Sequence, residues 1–564
     1  MKRSQLLILA VAVIAVVAAV LAQGGDGDDP GGGGSSAEPR APKGAIAVSF
    51  LYSPEKEELL KPLIRRFNDT AARVRGKPVF VEGEVMSSGE VEDKIAHESI
   101  KPVAWSPASS LWGRLLNFDA DRAYVRDQNP SIVRTPLVIA MWEPMAKALG
   151  YPKTPIGFAD VLRVATSPQG WGEVGRPEFG DFRLVHTNPD FSTSGLSAVV
   201  AEYYAATGKP EGLSEADVVA SDARRKVRAI ERSIVHYGDT TLFVEDQMKK
   251  DGPGYASAVA MEEVTLLHFN RTRGAQQKLV AIYPKEGTFY SDNPYIVIDA
   301  PWVSAAERKG ARLFQRFLRE EVTPELAARS GFRSADPRKR PVAPIEPDNG
   351  VDPSQPTKVL GLPEPRVLNR IRTAWRRDRK PANVMLVVDV SASMEEQNRL
   401  SGAKDGLGVF FDEVAPDDRL GLTSFSDQIK TLVPLEDRFR TVEPELRATV
   451  QTLSANGGTS VYDATAAALK AVRSLDDETR INAIVVLTDG DDTDSSLAAS
   501  DVIELVSKQS DAAPHVRVFT IAYSPDAAGA AEYLEDIAAG SGGQAYTGST
   551  EDIEAVYRSI SSFF

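Results

Sequence analysis

Residues 384–393 read Val-Met-Leu-Val-Val-Asp-Val-Ser-Ala-Ser, and residues 484–490 read Ile-Val-Val-Leu-Thr-Asp-Gly. Each is an unbroken apolar run that ends on an aspartate. A run without polar alternation predicts a strand buried on both faces, as in a parallel sheet covered by helices. The surrounding sequence keeps that alternation. Strands are predicted at Val384–Asp389, Leu420–Ser424, Ala483–Leu487 and Val516–Ala522. Helices are predicted around Leu400–Val414, Tyr462–Ser474, Leu497–Ser507, Tyr533–Ala539 and Ile553–Ser561. Strands alternating with helices give an open α/β sheet, and such sheets bind ligands beyond the carboxyl ends of their strands.

Three loops fall at that edge. Asp389, Ser391 and Ser393 follow the first buried strand at alternate spacing. Thr459 follows a Gly-Gly pair ahead of a helix, and Asp489 follows the second buried strand. Two carboxylates and three hydroxyls are hard oxygen donors, which suit Mg²⁺, Mn²⁺ or Ca²⁺. No histidine or cysteine belongs to the set, which argues against zinc or copper. Asp491, Asp492 and Asp494 read as a solvated acidic loop beside it.

The segments DVSASM at 389–394, GGTSVYDA at 457–464 and LTDGDD at 487–492 resemble the von Willebrand factor type A family, over about residues 383–564. Gly542-Gly543-Gln544-Ala545-Tyr546 is similar to that family's closing strand. The resemblance implies a Rossmann-like domain with a metal-ion-dependent adhesion site. Asp389, Ser391, Ser393, Thr459 and Asp489 are then its ligands, and a protein partner presents a carboxylate to the metal without catalysis.

Upstream, residues 44–335 also alternate. Ala45–Tyr52, Val79–Val85, Pro102–Trp105, Pro136–Met141, Arg183–His186 and Ala256–Met261 read as strands; Ser194–Ala206 and Ala305–Arg319 read as helices. Hydroxyl residues gather at helix starts: Ser53; Ser106 and Ser109; Ser192, Thr193 and Ser194. Free amides and the helix dipole favour anions there, although capping is the commoner job for such residues. Convergence of these groups in a cleft would hold a small polar solute or an oxyanion. Trp105, Trp112 and Trp142 are candidates for stacking on a sugar, but large aromatics are more often core. FLYSPEKEELLKPLIRRF at 50–67, VAWSPASSLW at 103–112 and HTNPDFSTSGLSAVVAEYYAATG at 186–208 resemble bacterial extracellular solute-binding proteins of the type 2 periplasmic class. The molybdate- and sulfate-binding branch is similar in part. The resemblance implies a two-lobed α/β unit, and the whole chain reads as α/β.

Eight prolines in residues 336–366 read as a semi-rigid linker. Seven basic residues between Arg366 and Lys380, with Leu368, Ile371 and Trp375 as an apolar stripe, predict a helix packed on the last domain. At the start, Lys2 and Arg3 precede an apolar run from Leu6 to Ala22, long enough to span a bilayer with the bulk of the chain outside. Residues 23–43 read as a glycine-rich tether. That tether favours a retained anchor in the cell membrane, whereas cleavage near Ala22 would release a secreted protein.

The 564 residues carry 65 Lys plus Arg against 79 Asp plus Glu, a net charge of −14, and no cysteine. Residues 383–564 hold 31 acidic and 13 basic residues, so all the excess acidity sits in the last third. An acidic chain is a poor nucleic-acid binder. Without cysteine there are no disulfides, thiolate chemistry or lipidated cysteine. None of the five histidines sits in a zinc-protease or nucleophile-elbow motif. The sequence therefore predicts no enzyme. It predicts a tethered binding protein with a solute-binding head and a Mg²⁺-dependent protein-binding head; the alternative is the solute receptor of a membrane transport system.

Overall fold

The computed structural model describes residues 41–126, 129–273, 277–508, 515–524 and 528–564. The apolar run Leu6–Ala22 and most of the tether lie outside them. Among the described residues no helix is long and apolar enough to cross a membrane.

Three sheets organise the chain. The first has the order β11-β4-β1-β3-β2, from β1 (Ile46–Tyr52), β2 (Arg73–Val74), β3 (Lys77–Val85), β4 (Ala104–Ser106) and β11 (Ile296–Val297). The second runs β10-β5-β8-β6-β7, with β9 and β12 also paired to β5. Its members are β5 (Val133–Trp142), β6 (Leu184–Thr187), β7 (Ile234–Gly238), β8 (Ala258–Glu262), β9 (Leu279–Ile282), β10 (Tyr290–Ser291) and β12 (Arg333–Ser334). These two sheets are the two lobes that the sequence predicts. The chain crosses between them after helix Ser110–Asp119, again after β10, and a third time after helix Ala305–Glu321, which packs on β1. Trp105, Trp112 and Trp142 are fully buried in the core, so none is available to stack on a sugar.

The third sheet has the order β15-β14-β13-β16-β17-β18. It comprises β13 (Ala382–Asp389), β14 (Arg419–Phe425), β15 (Ile429–Val433), β16 (Ile481–Thr488), β17 (Val516–Tyr523) and β18 (Ala545–Gly548). Every residue of β13, β16 and β17 is buried, as helices on both faces require. The β13–β16 register places Val388 opposite Leu487, so the loops after Asp389 and Thr488 emerge side by side. β15 is the antiparallel edge. Its first three residues are exposed, and no apolar run announces it in the sequence.

The segment between the heads departs from expectation. The proline-rich stretch is a strap bound along the second lobe. Leu360 N donates to the Thr288 carbonyl at 2.8 Å, Ala281 N donates to the Gly350 carbonyl at 2.7 Å, and Arg333 donates to the Gln355 carbonyl. Helix Pro365–Asp378 packs against Ser110–Asp119 of the first lobe and Thr193–Thr207, Glu215–Val219 and Ser221–Glu231 of the second, not on the last domain as expected. Its buried stripe of Val367, Leu368, Ile371 and Trp375 completes a core that those helices leave open. Its basic side chains find lobe carboxylates: Asp190 for Arg372 and Arg376. The one acidic group of its last turn, Asp378, accepts from Arg224 and Arg228 of the second lobe. The next residue, Arg379, pairs with Asp418 of the third-sheet domain at 2.7 Å. That domain also touches the second lobe directly: Asn188 Nδ2 donates to the Ser562 carbonyl at 3.0 Å, and the Phe243 and Phe563 rings lie 5.2 Å apart.

Candidate metal centre and interlobe cleft

The carboxyl edge of the third sheet gathers the oxygen donors. Asp389 is fully buried. Its Oδ1 accepts from Ser391 N at 2.7 Å and its Oδ2 from Thr488 Oγ1 at 2.6 Å. The Ser391 and Ser393 hydroxyls lie 3.0 Å apart, and Ser393 Oγ donates to Asp489 Oδ1 at 2.7 Å. Asp389, Ser391, Ser393 and Asp489 thus form one connected group. Thr459 reaches this edge through its loop. Ala392 N donates to the Gly457 carbonyl at 3.0 Å, and Asn456 N donates to the Val390 carbonyl at 2.7 Å. Gly457 sits at φ +80°, where a side chain would be strained and its Cβ would lie 2.6 Å from Asp427 Oδ1. Burial, with the Asp489 charge adding to it, pushes the Asp389 carboxyl up to about 6.

Two members were not legible in the sequence. Thr488 fixes the second oxygen of Asp389. Arg399 donates to Asp489 Oδ2 at 2.8 Å from the start of the next helix, after two consecutive left-handed residues, Gln397 and Asn398. The acidic loop is also more than a solvated surface. Asp494 Oδ2 accepts from Thr459 N at 3.1 Å, and Asp492 accepts from Tyr462 N and Ser495 N. These carboxylates tie the Thr459 loop to the Asp489 loop. The donor set, two buried carboxylates and three hydroxyls without nitrogen or sulfur, fits a hard divalent cation.

Between the two lobes lies a narrow cleft with a cavity volume of about 20 Å³, room for about one water. The first lobe contributes Ser53, Glu55, Ser87 and Ser88; the second contributes Ser192, Thr193, Asp239, Thr240 and Glu262. Of the predicted hydroxyls, Ser53, Ser192 and Thr193 line it. Ser109 instead caps its own helix through Leu111 N, Ser194 bonds to Thr187, and Ser106 is buried in β4. Asp239 and Glu262, distant in sequence, make the lining acidic. The amine nearest by, Lys56, is buried and occupied by Ser53, by Glu55 at 3.1 Å and by Asn293 at 2.8 Å. Burial raises the Asp239 carboxyl, and burial reinforced by the Glu55 charge pushes Glu262 up to about 8.

The lobes meet at short range around this cleft. Gly89 N donates to the Phe191 carbonyl at 2.9 Å across the divide, and a Cβ at Gly89 would lie 2.1 Å from the Asp190 carbonyl. Trp112 Nε1 donates to Thr193 Oγ1 at 2.7 Å, also across the divide.

Glu262 supports a pH test. Its folded carboxyl holds a proton to about pH 8, whereas the unfolded chain releases it near the ordinary value of 4.5. A raised acid contributes stability that is fully present below the unfolded value and lost as pH rises through the folded one. Thermal unfolding of the wild type should therefore fall relative to Glu262→Gln as pH rises from about 4.5 to about 8. Parallel curves for the two proteins would refute this.

Comparison with known proteins agrees with both halves. Residues 48–333, half of the chain, match the family model for bacterial extracellular solute-binding proteins, and residues 384–491 match that for the von Willebrand factor type A domain. A relative from Mycobacterium tuberculosis (strain ATCC 25618 / H37Rv), described as uncharacterized, is 22% identical over 513 residues, covering 87% of this chain and 73% of its own. Among solved structures, a periplasmic thiamin binding protein aligns over 61% of this chain and 99% of its own, at 11% identity and a TM-score of 0.43. Proximal thread matrix protein 1 from the mussel byssus, solved with a zinc-occupied MIDAS motif, aligns over 32% of this chain and 46% of its own, at 15% identity and a TM-score of 0.26. The chain belongs to the bacterial extracellular solute-binding protein family and carries a von Willebrand factor type A domain behind its two lobes.

Proposed function

We propose that this chain is a membrane-tethered, extracytoplasmic receptor that binds a solute between its lobes and a protein carboxylate at a divalent cation, without catalysis. The apolar run Leu6–Ala22 with Lys2 and Arg3 before it supports the tether. Asp389, Ser391, Ser393, Thr459 and Asp489 would hold the cation, with Mg²⁺ the reference ion. When bound, it supplies a positive centre for an acidic side chain of the partner. Asp389 and Asp489 supply the charge, and the Ser391 and Ser393 hydroxyls orient them.

One observation carries the linkage between the two heads. Asp190, bound to Arg372 at 2.7 Å, immediately precedes the cleft residues Phe191, Ser192 and Thr193. Arg372 sits on the helix that runs directly into the metal-binding domain. Opening of the lobes would strain that pair, so solute binding and partner binding are coupled.

Glu55 and Asp239 beside the cleft's hydroxyls favour a cationic or hydroxyl-rich solute over an oxyanion, because no free cation lines it among the described residues. Small molecules released from the purified full chain and identified by mass spectrometry should be amines, quaternary ammonium compounds or polyols. Their occupancy should fall in a Gly89→Leu variant, which prevents close approach of the lobes. Tight calorimetric binding of molybdate or sulfate would overturn this assignment.

A further inference from the structure

Below the β6–β7 pair lies a group of side chains that neither site uses. His186 comes from β6, Glu202 from helix Thr193–Thr207 and Glu231 from the end of helix Ser221–Glu231; all three are at most 1% exposed. One donor atom from each lies within 4.8 Å of the other two.

The hydrogen bonds fix how these atoms face one another. His186 Nδ1 lies 2.8 Å from the Thr187 carbonyl, which can only accept, so Nδ1 carries the proton. Nε2 then turns toward Glu231 Oε1 at 3.1 Å. In a neutral imidazole that is a lone pair facing a carboxylate oxygen. Glu202 brings one carboxylate oxygen into the same space and is hydrogen-bonded to Glu231, while its Oε2 is buried without a hydrogen-bond partner among the described residues. The other Glu231 oxygen accepts from Tyr237 Oη at 2.6 Å, and that hydroxyl accepts from Lys380 N at 3.1 Å. The imidazole and the two carboxyls thus crowd into one buried space, where shared protons or a bound cation must balance them because an unpaired charge is costly there.

We propose that His186, Glu202 and Glu231 form a buried transition-metal site of the zinc class, separate from the hard-cation site of the third sheet. One imidazole nitrogen and two carboxylates match the donors zinc accepts. The Nδ1 bond to a backbone carbonyl is the outer contact that orients metal-bound histidines, and the Tyr237 bond plays the same part for Glu231. The ion would pin β6 to two helices of the second lobe. Through Tyr237 and Lys380, the pinned region reaches the strand that opens the metal-binding domain.

The test uses the untagged full chain carrying Asp389→Ala, which removes a ligand of the other site. After chelation and reloading with zinc chloride, elemental analysis should find one zinc per chain, and adding Glu202→Gln should remove it. Cobalt substitution of the Asp389→Ala chain should give visible absorption bands of a low-coordinate nitrogen–oxygen site, a readout that does not depend on Glu202→Gln folding. Absence of zinc and of cobalt bands from the Asp389→Ala chain would overturn the site. So would zinc retained in full by a folded double variant. In either case two added protons, one on Nε2 and one shared by the carboxyls, satisfy the same atoms.

Discussion

Asp389→Ala should lower the Mg²⁺ affinity of the third-sheet domain by about 100-fold or more, because outer contacts alone are worth 10–100-fold at metal sites and Asp389 is a ligand candidate. Partner binding that depends on the metal should vanish with it. The fold should survive at a measurable cost. Truncation strands the Ser391 amide and the Thr488 hydroxyl, both buried against Asp389, at about 1–3 kcal/mol for an unsatisfied group. Asp389→Asn separates the two effects: it keeps a hydrogen-bonding side chain between those donors but removes the charge. Calorimetric titration with Mg²⁺, paired with urea unfolding of both variants, checks the expectation. Unchanged Mg²⁺ affinity in either variant would remove the site. Unfolding of both variants at wild-type urea concentrations would remove the structural role.

Arg372→Ala should be among the most destabilising single changes outside the core. The guanidinium is 12% exposed. It binds Asp190 at 2.7 Å, lies 3.4 Å from Asp119 and 3.8 Å from Glu92, and stacks over Trp112. Burial alone would raise the Asp190 carboxyl; the Arg372 and Arg376 charges reverse that and hold it below its ordinary value. Removing one partner of a buried pair typically costs about 3–5 kcal/mol, because the other charge stays buried. Glu92 adds less, since burial already pushes its carboxyl up to about 8. Arg376 is the internal control. It reaches the same Asp190 but is half exposed, so Arg376→Ala should cost no more than about 1 kcal/mol. Urea midpoints of the two variants measure the contrast, and equal midpoints would contradict it. In Arg372→Ala the coupling between solute and partner affinities should also fall.

The fold was legible wherever burial leaves a local signature. Continuous apolar runs gave β13, β16 and β17 within two residues, because a strand covered on both faces has no polar positions to obscure it. The donors of the candidate metal centre were legible for a related reason: Asp389 ends one buried strand with Ser391 and Ser393 just beyond it, and Asp489 directly follows the adjacent strand. Arg399 was not, since only the turn through Gln397 and Asn398 brings it back to Asp489. The cleft shows the same limit. Ser53 and Ser192 were visible as helix-start residues, whereas Asp239 and Glu262 enter from β7 and β8 with nothing local to mark them. The linker helix was legible as an amphipathic segment, but its stripe fits any apolar surface, and the carboxylates that select its partner are contributed by Asp190 and Asp119, far back in the chain. His186 had no motif around it; the two glutamates that face it lie 16 and 45 residues downstream.

The three crossings between the lobes have a kinetic consequence. The first sheet starts at Ile46 but receives β11 only at Ile296, and β1 is covered by a helix that ends at Glu321. During synthesis from the amino end, this lobe waits for some 250 residues before its edge strand and covering helix emerge. The second lobe receives β12 later still, and the face beneath Trp375 closes only when the linker helix arrives. The first lobe therefore has all its elements only at Glu321, and the second only at β12, shortly afterwards. The apolar helix face that Trp375 covers stays open until the chain has passed residue 378.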